Sequence, residues 1–289
     1  MPELPEVEVV KRSLTKNIQN LIIKKIKINH SKLRYRINKN DLNKIIGLRL
    51  EKIKRRSKFL IFFFNKDMIM LVHLGMTGKF YFIDKKNVKS KTSFYYDLDE
   101  KNDRKHDHVI FYLEKKQKLI YNDVRKFGFI KFYHFDNLHR INHLINLGPE
   151  PLKRDFNFAY IKKYLKRKKR SIKNILMDQK FVSGLGNIYV NEILFLSRVK
   201  PNRKAYKVKN FEIIKIINFT KKILKQSIKY GGSSIKNFSS SNGKKGSFQG
   251  LFQVYGRKGS KCPNAHCQNK IIKINISNRS TFYCSNCQK

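Results

Sequence analysis

The chain has 289 residues, 40% of them apolar, and carries 65 basic against 20 acidic side chains for a net charge of +45. That apolar share can build one large or two modest cored domains, which excludes a disordered chain and a disulfide-stapled miniprotein. A field of +45 repels cationic surfaces and attracts phosphate-rich polymers or anionic lipid, so nucleic acid is the first partner to consider.

Lys outnumbers Arg by 49 to 16 and crowds even segments with no evident task, so the placement of charge says more than its sum. No apolar run approaches the ~20 residues of a membrane span. The opening Met1-Pro2-Glu3-Leu4-Pro5-Glu6 lacks the basic-then-apolar order of a secretory signal. The expectation is a cytoplasmic monomer without a membrane partner.

After Pro5, the residues Val7, Val10 and Leu14 recur at helical spacing behind acidic residues suited to a helix start, placing Pro2 and Glu3 just ahead of a helix of roughly a dozen residues. Short β-like runs follow at 22–28, 48–53, 59–64, 68–74, 79–83, 109–113, 118–121 and 128–133, which suggests a sandwich or flattened barrel of antiparallel strands. A polar stretch over 85–107 reads as a long surface loop. From Leu138 the period lengthens to helical, over 138–147, 156–168, 172–177, 188–195 and 211–230, the last stopped by Gly231-Gly232. The Gly-, Ser- and Lys-rich stretch 233–250 reads as a mobile loop. The expected domains are 2–135, a linker over 136–150, a helical domain over 151–250 and a finger over 251–289.

All four cysteines lie in that last segment. Cys262 and Cys267 form a C-x4-C pair, Cys284 and Cys287 a C-x2-C pair, and 16 residues separate the pairs. Two turns at that spacing can bring four thiolates onto one tetrahedral Zn²⁺, with His266 an alternative to Cys267 because the first gap is wide. A fragment this short folds with its ion.

Several motifs occur in order: Met1–Glu8, His73-Leu74-Gly75-Met76, Lys105-His106-Asp107-His108, Asp123-Val124-Arg125-Lys126-Phe127-Gly128, Leu147-Gly148-Pro149-Glu150-Pro151, Gly184-Leu185-Gly186-Asn187-Ile188-Tyr189 and Tyr255-Gly256-Arg257-Lys258-Gly259, before the cysteine tail. With these, the chain resembles the bacterial formamidopyrimidine-DNA glycosylase type of the formamidopyrimidine-DNA glycosylase / endonuclease VIII family over essentially its whole length. The resemblance implies an α+β multidomain fold: an N-terminal β-sandwich with a leading helix, a helix–two-turn–helix domain and a C-terminal zinc-finger hairpin, with double-stranded DNA in the cleft between the halves. It also implies a bifunctional glycosylase and abasic-site lyase acting on oxidised bases.

The chemistry of the residues agrees with that activity. Once Met1 is removed, Pro2 exposes a secondary α-amine, and α-amines titrate near about 8 against about 10.4 for Lys, so far more is neutral and nucleophilic. Attack on the sugar C1′ expels the base and leaves an iminium that activates the C2′–H bond for phosphate elimination. By resemblance Glu3 is the general acid, and Lys58 contacts phosphate and moves protons in β-elimination. Glu6 reads as a helix-dipole partner. Met76, Arg125 and Phe127 match the trio that refills the hole left by an extruded nucleotide, a cost of a few kcal/mol otherwise. Their types fit: a flexible thioether and an aromatic wedge can enter a base step, and a guanidinium can bond the orphaned base. Motif alignment assigns phosphate contacts to His106, Lys169, Lys173, Asn187 and Arg279, the last serving δ-elimination. Gly184 and Gly186 permit positive φ before a helix whose amides can bind phosphate.

Val124 where many relatives carry Pro, the longer stretch over 85–107 and the wide first cysteine pair depart from the pattern without touching the reacting atoms. Two other functions stay open at this point: an endonuclease VIII-type glycosylase for oxidised pyrimidines, and a non-catalytic zinc-finger DNA-binding protein.

Overall fold

A computed structural model describes residues 2–84, 89–91, 103–233 and 248–289. It divides into two compact units, Met1–Ile145 with Tyr230–Ser247, and Asn146–Lys229 with Phe248–Lys289.

The first unit opens with helix α1 (Leu4–Ile18) and contains the short helices α2 (Lys39–Asn43) and α3 (Asn142–Ile145). Its strands are β1 (Ile23–Ile28), β2 (Leu50–Arg56), β3 (Phe59–Phe64), β4 (Met68–His73), β5 (Lys79–Ile83), β6 (Lys89–Lys91), β7 (Asp107–Leu113), β8 (Lys118–Asn122) and β9 (Phe129–His134). They form two antiparallel sheets, ordered β1-β7-β8-β5-β6 and β2-β3-β4-β9. Strand β3 explains the sandwich. Its Leu60, Phe62 and Phe64 enter a core shared with Phe80, Phe111 and Tyr121 of the other sheet and with Val7, Val10 and Leu14 of α1. Its opposite face packs Ile61 with Ile69, Leu71, Phe129 and Ile141. Both faces of the strand are covered, so it reads as an unbroken apolar run rather than an alternation.

All eight expected strands are present. The polar stretch over 85–107 is less simple than a loop: residues 89–91 pair with β5, and Asp103–His106 forms a 3-10 turn leading into β7. The remainder of that expectation lies outside the described residues. The expected helix over 138–147 is broken into a 3-10 turn, Phe135–Arg140, and α3.

The second unit holds α4 (Phe158–Leu165), α5 (Ile172–Met177), α6 (Asn187–Leu196), α7 (Asn210–Lys229) and a hairpin of β10 (Ile272–Ile276) and β11 (Arg279–Tyr283). Asn157 caps α4 by accepting from the Tyr160 N–H, and Ser171 caps α5 by accepting from the Asn174 N–H, each satisfying an otherwise orphaned amide. Nearly every side chain of helix α6 is buried, polar Asn191 and Glu192 included. Its Glu192 carboxylate accepts from the backbone N–H groups of Gln253, Val254 and Tyr255 at 2.8, 3.0 and 2.8 Å, which anchors the segment ahead of the cysteine hairpin to the helix. Burial raises the Glu192 pKa, and these three amides oppose that shift. The stretch expected as a mobile loop has packed ends: Ser233 is buried, and Phe248–Leu251 forms a 3-10 turn. Its centre, 234–247, lies outside the described residues. Among the described residues no helix is long and apolar enough to cross a membrane.

Candidate active site and nucleic-acid interface

In the first unit Pro2 and Glu3 sit at the head of α1, both buried, with Glu3 in extended conformation at the N-cap and the helix starting at Leu4. Glu6 holds this entry. Its Oε2 accepts from the Glu3 N–H at 2.9 Å, and its Oε1 accepts from the Ser233 N–H and hydroxyl at 2.8 and 2.9 Å. The chain returns from far along the sequence to pin the amino end, a contact that no local pattern announces.

Lys58 occupies the two-residue turn joining β2 to β3, where Ser57 takes a φ of +56°. The side chain is 6% exposed. Burial pulls its pKa below the usual lysine value, and the carboxylates of Glu3 and Glu6 pull the other way. A desolvated amine in the field of two carboxylates can exchange protons with a substrate near them. Arg55 braces the turn, donating from Nε to Glu8 on α1 at 2.9 Å and from Nη1 to the Ser57 carbonyl at 2.9 Å.

Met76, Arg125 and Phe127 line one cavity of about 670 Å³ together with Arg34, His73 and Gly75. Phe127 is 46% exposed, and the Arg125 guanidinium lies 4.7 Å from its ring centroid. Met76 is half-buried and Arg125 exposed. The two loops are fastened by Asp123, which is fully buried. Its Oδ1 accepts from the Thr77 hydroxyl at 2.5 Å, its Oδ2 accepts from the Gly128 N–H at 2.8 Å, and Thr77 Oγ accepts from the Arg125 N–H at 3.0 Å. Gly75 adopts a φ of +61°, and a Cβ there would collide with the Gly128 nitrogen and the Phe127 carbonyl, so only glycine allows the loops to approach this closely. His73 accepts the Gly75 N–H at Nδ1. Burial, aided by the nearby charges of Lys58, Arg34 and His143, pushes its pKa down to about 3, so the ring stays a neutral acceptor. His106 is half-buried in the 3-10 turn before β7, and its carbonyl accepts from the Asp123 N–H at 3.1 Å. Asp123 opens the motif that carries Arg125 two residues on, and its role as the fastener of both loops shows only in the fold.

In the second unit Lys169 is exposed beyond the end of α4. Lys173, expected to grip a phosphate, is fully buried; its ammonium donates to the Ser280 carbonyl at 3.1 Å and to Thr281 Oγ at 2.7 Å. Asn187 donates to the same Ser280 carbonyl at 2.9 Å, and Asn191 Oδ1 accepts from the Phe282 N–H at 2.8 Å. Three side chains from α5 and α6 thus seize β11, whose first residue is the exposed Arg279. The hairpin tip is Ser277-Asn278, both at positive φ as a two-residue turn of this hand requires. Gly184 takes a φ of +89° before α6, whereas Gly186 is extended at −141° and caps the helix.

The four cysteine sulfurs lie within 4.8 Å of one another. A tetrahedral Zn²⁺ with bonds of about 2.3 Å sets its thiolates about 3.8 Å apart. Here Cys262 and Cys287 are separated by 3.8 Å, and Cys267 and Cys284 by 3.6 Å. The donor set fits one zinc ion in a structural, all-thiolate site. Cys267 belongs to the cluster; His266 is exposed and is not among its members.

A β-sandwich with an acid-bearing helix head, a helical unit and a four-cysteine hairpin define a multidomain enzyme scaffold with a zinc finger. Family models match along the chain in the same order: the formamidopyrimidine-DNA glycosylase N-terminal domain over residues 1–130, the H2TH domain of that glycosylase over 147–239, and the zinc finger found in FPG and IleRS over 259–289. A formamidopyrimidine-DNA glycosylase of Rickettsia bellii is 39% identical over the full length of both chains, and one of Roseobacter denitrificans is 35% identical, again over the full length of both. The Lactococcus lactis Fpg bound to abasic-site DNA superposes with a TM-score of 0.84 at 33% identity over 99% of each chain. A point mutant of that enzyme, bound to DNA containing Fapy-dG, gives the same TM-score of 0.84 and 33% identity over the whole of both chains. The chain belongs to the formamidopyrimidine-DNA glycosylase family.

Proposed function

We propose that this protein is a bifunctional DNA glycosylase and abasic-site lyase of base excision repair, taking duplex DNA that contains oxidised purines, 8-oxoguanine and ring-opened formamidopyrimidines. The observation that carries the reading is Glu3, next to Pro2 at the head of α1, acting with Glu6 on the charge of a buried Lys58 whose pKa burial lowers.

With Met1 removed, the Pro2 amine attacks C1′ while Glu3 protonates the sugar side, and the damaged base departs. The resulting iminium acidifies C2′–H. Lys58, desolvated and able to stay neutral at lower pH than an exposed lysine, takes part in proton transfer during β-elimination. Arg279 serves the second, δ-elimination. Met76, Arg125 and Phe127 fill the vacated stack. His106 and Lys169 contact phosphates directly, and Lys173 and Asn187 act on the backbone through the hairpin they fasten, a role that suits their bonds to Ser280. Cys262, Cys267, Cys284 and Cys287 hold the Zn²⁺ that gives the finger its shape. The functional division follows residues 2–135, 151–250 and 251–289, joined through 136–150.

Incision assays on duplexes containing 8-oxoguanine opposite cytosine or thymine glycol test the reading. It expects preferential cutting of the first, lost in Glu3→Gln. Preference for thymine glycol would place the chain with the pyrimidine-specific relatives, and absence of cutting on either would leave a binding protein.

A further inference from the structure

One cation at the gap-filling cavity has no task in the scheme above. Arg34 lines that cavity with His73, Met76, Arg125, Lys126 and Phe127, all of them in the first unit. It stands at the apex of a turn between β1 and α2 whose limbs, Lys32 and Arg36, pair in an antiparallel bridge. The turn is held in place around it. The Arg34 N–H donates to the Gly128 carbonyl at 3.2 Å, the ring of Tyr35 meets Phe129 edge-on at 5.3 Å, and the Lys131 ammonium lies 3.9 Å from the Tyr35 centroid. The backbone of Arg34 is thereby tied to the loop that carries Arg125 and Phe127, while the residue itself is exposed. No pattern in the sequence between β1 and α2 sets this arginine apart from its basic neighbours.

The charge around the cavity is one-sided. Among the described residues its walls carry Arg34, Arg125 and Lys126 and no carboxylate, and none of the three has a carboxylate partner. Asp123, two residues from Arg125, is fully buried and holds Thr77 and Gly128. His73 adds a neutral ring, since burial and the charges of Lys58, Arg34 and His143 push its pKa down to about 3. Three like charges around one open cavity repel one another and favour an anion.

The gap-filling trio selects that anion. When a nucleotide is extruded, its unpaired partner stays in the complementary strand with a phosphate on either side, and its base is the one Arg125 is proposed to meet. Arg125, its guanidinium 4.7 Å from the Phe127 centroid, is committed to that base and the wedge beside it. Neutral His73 brings no charge. Arg34, on the adjoining turn, is the guanidinium left for the phosphate, and its planar fork suits two phosphate oxygens at once.

We infer that Arg34 is a further DNA-binding residue, which grips the complementary-strand phosphate next to the orphaned base. The grip depends on the proposed duplex substrate and sharpens it, because it makes binding sensitive to the presence of the second strand.

Anisotropy titrations of the zinc-loaded full chain test this with duplexes that hold a non-cleavable abasic-site analogue and a single neutral methylphosphonate, placed in turn along either strand. Arg34→Ala should weaken binding to the all-phosphate duplex about tenfold, the share of one charge-assisted contact. A methylphosphonate beside the orphaned base should weaken the wild type by a similar factor and add nothing to Arg34→Ala. Arg34→Lys should recover part of the loss, since the charge returns without the fork. The residue is exposed and its main-chain bond to Gly128 needs no side chain, so Arg34→Ala should melt with the wild type. Unchanged affinity in Arg34→Ala would overturn the proposal. So would losses from variant and methylphosphonate that add at every complementary-strand position, coupling to a lesion-strand position alone, or a methylphosphonate effect erased by Lys126→Ala in place of Arg34→Ala. Cutting of an 8-oxoguanine duplex is followed in parallel: its absence from the wild type would overturn the glycosylase reading, whereas the coupling of Arg34 to a phosphate is read from binding alone.

Discussion

Replacing Asp123 separates the geometry of the gap-filling loops from the chemistry at Pro2. In Asp123→Ala the Gly128 N–H and the Thr77 hydroxyl lose their acceptor in a fully buried place. A buried donor left unsatisfied costs about 1–3 kcal/mol, so the two together cost about 2–6 kcal/mol, the upper end applying if the Thr77 hydroxyl finds no new acceptor. For a unit of this size, at about 2–4 °C per kcal/mol, that lowers the melting temperature by about 4–24 °C. Asp123→Asn keeps one carbonyl oxygen for Gly128 and should lose about 1–2 kcal/mol. The functional effect should be selective. Excision of 8-oxoguanine from a duplex requires Met76, Arg125 and Phe127 to fill a hole, and should fall at least about tenfold in Asp123→Ala. Cleavage of an abasic site in a single strand, where no stack has to be refilled, should stay close to wild type. Calorimetry and parallel time courses on the two substrates check this. Equal loss on both substrates, or wild-type melting of Asp123→Ala, would refute the assignment of Asp123 as the fastener of these loops.

Other consequences follow from the same geometry. Because Lys58 has a lowered pKa in the folded chain, protonating it costs stability; the cost is fully present below its folded pKa and disappears as pH rises towards 10.5, where the unfolded lysine also deprotonates. Urea unfolding across that interval should therefore show stability rising with pH, with a shallower slope in Lys58→Met; identical slopes would contradict the shift. Cys284→Ser, at a fully buried member of the cysteine cluster, should reduce bound zinc well below one per chain in a colorimetric release assay, and full retention would remove Cys284 from the ligand set. Affinity for duplex DNA should fall steeply with salt, and Arg279→Ala should make the log–log slope shallower by about 0.9, the share of one phosphate; an unchanged slope would take Arg279 off the backbone.

Local pattern made much of this molecule legible. The spacing of Val7, Val10 and Leu14 located α1, the apolar run Phe59–Phe64 located a strand covered on both faces, and the cysteine spacing located the metal site. Long-range contacts were not legible. The bond from Ser233 to Glu6 spans 227 positions, and nothing in the composition of the segment after Gly232 marks it as a clasp for the amino end. Lys173 shows a related limit: a lysine in a basic region reads as a surface cation, whereas here its ammonium is consumed by Ser280 and Thr281, whose proximity only the folded hairpin creates. Glu192 and Asp123 escaped for the same reason. Each is a carboxylate whose partners are backbone amides or a hydroxyl brought to it by tertiary structure, and sequence spacing carries no signature of that.

Borohydride reduction during reaction with an abasic-site duplex, followed by proteolysis and mass spectrometry of the cross-linked peptide, identifies the attacking nitrogen. Attack by the imino terminus should leave a covalent adduct on the nitrogen of Pro2 in a chain that has lost Met1, with a weakened yield in Glu3→Gln. An adduct mapped to Lys58 or another lysine, or trapping by a chain that fully retains Met1, would contradict it.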